Sequence, residues 1–126
     1  MNIQDQGQRN RIEIPADTPG NLQVQVHGDD NLVRVAAGCR FPNLRIDIRA
    51  HRCEIDIGAG CVLIGEIHCR EAGARVLIGE KTTTMGVKIT VHEPGTIRIG
   101  RDCMFAGDVR MDTSDMHSIL DLATGD

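Results

Sequence analysis

A chain of 126 residues has the length for one domain, and its formal charge of −4 with no run of Lys or Arg argues against nucleic acid as a partner. With two Phe, no Trp and no Tyr, the core has to be assembled from Ile, Val, Leu and Cys in small regular layers, while fourteen Gly and four Pro imply frequent tight corners. No apolar run approaches the roughly 18 residues of a membrane span and the opening residues carry no secretory pattern. A cytoplasmic protein without membrane insertion is therefore expected, with its five cysteines as free thiols rather than a disulfide framework.

Residues 1–10 are polar and read as a candidate cap for one end of the fold. Ile12 and Ile14 then open a series of short alternating strands. Leu22, Val24 and Val26 alternate with Gln23 and Gln25, and the same pattern returns at Leu44, Ile46 and Ile48 and again at Val87, Ile89 and Val91. Between these runs lies a second recurring element: Val33 to Ala36, Ile55 to Gly58, Val76 to Gly79 and Ile97 to Gly100. Its anchors Val35, Ile57, Ile78 and Ile99 are 22, 21 and 21 residues apart. Four residues beyond each anchor stand Cys39, Cys61, Thr82 and Cys103; six beyond stand Phe41, Leu63, Thr84 and Phe105. Ile119 is expected to continue the series. Glu71-Ala72-Gly73 and Glu93-Pro94-Gly95 place one bend at one azimuth.

Such a period predicts an all-β parallel β-helix occupying residues 1–126 as a single domain, with triangular coils of about 21 residues whose matched side chains stack. A β-sandwich of short strands also shows regular turns, but it does not stack Cys over Cys in register. Cys39, Cys61 and Cys103 read as small apolar fillers of one inward column. Cys53 and Cys69 fall outside that column, and no Cys-x-x-Cys pair supports a zinc site.

The hexads starting at Val35, Ile57, Ile78 and Ile99 resemble the hexapeptide repeat, and the chain is similar to the hexapeptide-repeat acyltransferases. The resemblance implies a left-handed β-helix. That family's coil is about 18 residues, so a 21-residue step implies a wider corner or a bulge. From Ile99 the likeness is to bacterial acetyltransferases of surface-polysaccharide biosynthesis, carried by Ile99 to Ala106 and by Val109 to Ile119 with its Asp115-Met116-His117-Ser118-Ile119. In those proteins this motif lies on a loop leaving the helix. The resemblance implies acetyl-CoA as co-substrate, a sugar or polysaccharide acceptor, and a homotrimer with active sites between neighbouring β-helices. It also marks the chain as the N-terminal part of a longer acyltransferase, since no strand is expected after the motif.

Acyl transfer from a thioester to a hydroxyl needs a base, and an imidazole suits that task near neutral pH. His117 is the candidate. Asp115, or alternatively Asp112, can accept from the other ring nitrogen and fix the tautomer. Asp112, Ser114 and Ser118 are candidates for contact with the acceptor, although loop serines more often bond their own backbone. His27, His51, His68 and His92 read as solvent-facing or corner residues without a catalytic part. A three-His zinc site of the γ-carbonic anhydrase kind needs two His close in sequence; the steps of 24, 17, 24 and 25 provide none, so no metal is expected. The competing reading is a non-catalytic β-helix that serves as a scaffold or assembly module.

Overall fold

Strand periodicity along the chain becomes parallel stacking in the computed structural model, which describes residues 1–92, 94–105, 109–113 and 119–122. Every regular element among them is a strand, and each pairs in parallel with the strand one coil away. The long sheet stacks β1 (Asn2–Asp5), β3 (Gly20–Val26), β5 (Arg40–Ile48), β7 (Val62–Cys69), β10 (Val87–Val91) and β13 (Val109–Thr113). A second sheet stacks β2 (Arg11–Glu13), β4 (Leu32–Val35), β6 (Glu54–Ile57), β8 (Arg75–Ile78), β11 (Thr96–Ile99) and β14 (Ile119–Leu122). Two short strands, β9 (Thr83–Thr84) and β12 (Met104–Phe105), continue the first part of β7, so the side that β5 covers in one bent strand splits in the later coils. The bend shows as a register shift between Arg40 and Asn43. Each such coil has three extended sides, and about five coils make the solenoid.

Registers give the stacking that the repeat predicts. Val33 lies opposite Ile55, which lies opposite Val76, and that opposite Ile97. All four are fully buried, as are Val24, Ile46, Ile67 and Ile89 in the corresponding column of the long sheet. Burying each such side chain contributes roughly 1.5–3 kcal/mol, which is how a core almost free of aromatics holds together.

The corners explain the recurring columns in physical terms. Cys39, Cys61 and Thr82 are buried, and each donates to a carbonyl of the next coil: Cys39 Sγ to Gly58 O and Cys61 Sγ to Gly79 O at 3.1 Å, and Thr82 Oγ1 to Gly100 O at 3.0 Å. These side chains are therefore hydrogen-bond donors as well as fillers, which is why a threonine can stand in a cysteine column. The residue before each of Cys39, Cys61, Thr82 and Cys103 turns left-handed, with φ of 80° at Gly38, 72° at Gly60, 60° at Lys81 and 58° at Asp102. At another corner Asn10 and Asn31 do a similar job, their Nδ2 groups donating to Gly28 O at 2.8 Å and Ala50 O at 3.0 Å. Cys53 takes the next place, its N accepted by Asn31 Oδ1 at 2.8 Å and its Sγ donating to Glu71 O at 3.4 Å. Cys53 and Cys69 are thus core residues too, 1% and 0% exposed.

Three expectations change. Leu122, not Ile119, lies opposite Ile99, because Ile119 pairs with Thr96 and the step there lengthens. A strand, β14, does follow the Asp-x-His segment. The two glycine bends are offset by one: Gly95 takes the place of Ala74, both carbonyls accepting from the first residue of a second-sheet strand, because the corner after β10 is one residue shorter than the corner after β7.

Candidate active site

Alternation along the long sheet sends every second side chain outward, and the 21- to 22-residue step then sorts these into columns. The first column runs Gln23, Arg45, Glu66, Lys88, Arg110, and the second Gln25, Asp47, His68, Thr90, Asp112. Two residues further on, His27 N donates to Ile48 O, Arg49 N to Cys69 O and Arg70 N to Val91 O, so His27, Arg49, Arg70 and His92 form a third. Arg45, Lys88, Arg110, Arg49, Arg70 and His92 are exposed. Asp47, His68 and Thr90, in the middle column, are buried although they face outward, because the longer side chains on either side roof them.

Asp112, named from the sequence, sits on β13 opposite Thr90 and is exposed. It lines an open groove together with Arg70, Lys88, Thr90, His92 and Arg110. His117, Asp115, Ser114 and Ser118 lie outside the described residues. Five residues separate the end of β13 from the start of β14, as five separate β5 from β6 and β7 from β8.

A cluster that sequence reading passed over surrounds His68. Its Nε2 lies 2.7 Å from Glu66 Oε1 and its Nδ1 lies 3.7 Å from Asp47 Oδ2, while Arg49 Nε holds the same Asp47 oxygen at 3.1 Å. His68 Nδ1 and Asp47 Oδ1 are buried and have no hydrogen-bond partner among the described residues. The hydrogen bond from His68 holds the Glu66 carboxyl below the usual carboxylate range, with Lys88 and Arg45 adding to the effect. Both ring nitrogens face carboxylates, so this imidazole is poorly placed to accept a proton from a substrate. His27, His51 and His92 are exposed, as expected for corner and surface positions. The signal for the cluster was in the sequence: applying the repeat to the polar positions, and not only to the apolar ones, aligns Asp47 with His68.

All five thiols are buried, which keeps them from a substrate. Burial pushes the Cys61 thiol up to about 11, and the hydrogen bond between Cys53 and Cys69 holds the Cys69 thiol well above the ordinary range and the Cys53 thiol below it. Among the described residues no group of three or more His, Cys, Asp or Glu could hold a metal ion. None of them forms a helix long and apolar enough to cross a membrane.

Parallel three-sided coils with aliphatic-Gly hexads in register give the chain its resemblance to the hexapeptide-repeat acyltransferases. Over 97% of its length it is 29% identical to the polysialic acid O-acetyltransferase of Neisseria meningitidis, and it spans 57% of that relative's length. No protein-family model matches the chain, and no solved structure matches it.

Proposed function

We propose that this chain is the N-terminal β-helical part of an acetyl-CoA-dependent O-acetyltransferase that modifies a sugar unit of a polysaccharide or its precursor. The observation that carries the reading is the similarity to a polysialic acid O-acetyltransferase along nearly the entire solenoid, so that the repeat and the segment after β13 fall within one alignment. A cytoplasmic homotrimer, with each active site between adjacent β-helices, completes the proposal. Side-by-side assembly has a physical motive, because a solenoid about 25 Å tall is short and gains from lateral burial.

In this reaction His117 takes the proton of the acceptor hydroxyl as the oxygen attacks the thioester carbonyl. The tetrahedral oxyanion is stabilised by backbone N–H donors, collapse expels the CoA thiolate, and the proton on His117 passes to that leaving group. Asp115, or Asp112, orients the ring, while Asp112, Ser114 and Ser118 contact the acceptor. No covalent intermediate on the protein is needed.

The test is His117→Ala in the longest form of the gene, assayed with acetyl-CoA and a polysaccharide acceptor. Loss of a positioned base lowers kcat about 10²- to 10⁴-fold with the circular dichroism unchanged. An unchanged rate with unchanged fold removes His117 from the mechanism.

A further inference from the structure

We propose that the outer face of the long sheet is a binding track for an acidic polysaccharide, in which Lys88, Arg110 and Arg70 hold the carboxylates of successive sugars along the groove that reaches Asp112. This rests on the acetyltransferase reading and specifies its acceptor as a polyanion.

The charge distribution is the first reason. The whole chain is acidic, with 18 Asp and Glu against 14 Lys and Arg. On this one face the balance inverts: the three columns carry Arg45, Lys88, Arg110, Arg49 and Arg70 against Asp47, Glu66 and Asp112. Arg49 is engaged with Asp47, whereas Arg70, Lys88 and Arg110 make no salt bridge within 4 Å among the described residues. Lys88 acts on Glu66 through space without an ion-pair contact, and cations that outnumber the carboxylates beside them on an otherwise negative protein concentrate positive potential where they cluster.

Geometry gives the second reason. Lys88 and Arg110 lie on adjacent coils, about 4.8 Å apart along the solenoid axis, and Arg70 flanks them in the third column. The same side chains wall the groove with Thr90 and Asp112. A line of cations along an axis matches a linear polyanion rather than one small ion, and the groove lies on the face from which β13 leads directly into residues 114–118, the segment proposed to carry the base.

Chemistry selects sugar over nucleic acid. Glu66 and Asp112 alternate with the cations and would repel contiguous phosphates, but they accept hydrogen bonds from sugar hydroxyls between carboxylates. No Phe, Trp or Tyr stands in these columns for a base to stack on, since the chain has no Trp or Tyr, Phe41 is buried and Phe105 lies on another strand.

The experiment is equilibrium binding of polysialic acid to the full chain at low and moderate salt, with dextran, single-stranded DNA and acetyl-CoA as comparison ligands. Polysialic acid is expected to bind, to weaken as salt rises, and to lose roughly tenfold or more in affinity in Lys88→Glu/Arg110→Glu. Both residues are exposed, so thermal unfolding should be unchanged; Lys88→Gln/Arg110→Gln, expected to lose less, covers the case in which charge reversal disturbs folding. Glu66→Gln removes the carboxylate of the same column and should bind polysialic acid more tightly. Binding that is equal for dextran, stronger for DNA, insensitive to both double variants, or changed by them for acetyl-CoA alone would overturn the track. Because the readout is binding, its outcome separates from the catalytic one. A cation-dependent track with no acetyl transfer by the longest form of the gene removes the acetyltransferase reading, and transfer by that form to a neutral acceptor untouched by the variants removes the track.

Discussion

Thr82 occupies a position that three cysteines hold in other coils, and the reason is a single hydrogen bond. Its hydroxyl donates to Gly100 O from a fully buried site, as the Cys61 thiol donates to Gly79 O. Thr82→Val keeps the shape and removes the donor, leaving a buried carbonyl short of a partner; the expected loss is about 1–3 kcal/mol in urea unfolding, against a smaller loss for Thr82→Cys. Cys61, held protonated by burial, should resist alkylation in the folded chain. At His68 the argument concerns charge. His68→Ala leaves Asp47, 3% exposed, with Arg49 as its remaining partner, so this variant should destabilise the fold more than removal of any exposed histidine.

At the scale of the element, coil height is set by how closely backbones approach at the corners. A Cβ on Gly79 would lie 2.5 Å from Arg101 N, a backbone atom that cannot step aside without lifting the next coil. Gly79→Ala is expected to cost about 1–3 kcal/mol and to lower Tm accordingly. Gly60 offers the contrast: its left-handed φ of 72° is matched by 60° at Lys81 and 58° at Asp102 in the coils that follow, and a Cβ there meets only the flexible Lys81 Cγ at 3.5 Å. Gly60→Asn should therefore cost less than about 1 kcal/mol, because the left-handed corner tolerates side chains other than glycine. Both effects can be read from one set of thermal melts.

For the molecule as a whole, the outer face of the long sheet links pH to stability. Folding holds the Glu66 carboxyl below its ordinary 4.5, chiefly through the hydrogen bond with His68. Its contribution is in place above the unfolded-state value and disappears as pH falls through the folded-state value. Glu66→Gln should flatten this acid-side decline by lowering Tm at neutral pH by the same amount, a small one because the carboxylate is half exposed and screened by solvent.

Much of this architecture was legible in the sequence because a solenoid makes one-dimensional period equal to three-dimensional neighbourhood. The step from Val35 to Ile57, Ile78 and Ile99 was enough to place four coils, and the strand alternation was enough to say which side chains enter the core. The sequence by itself determined the repeat, the aliphatic core and the identity of His117, Asp115, Asp112, Ser114 and Ser118 as candidates. Only the tertiary structure decided which of the outward polar positions are buried and paired and which stay exposed. Arg70, Lys88 and Arg110 are isolated along the chain and neighbours on the sheet, and Asp47 meets His68 across 21 residues. Local composition cannot reveal that, since charge acts through space and the distance between these groups is fixed by coil stacking rather than by their separation in sequence.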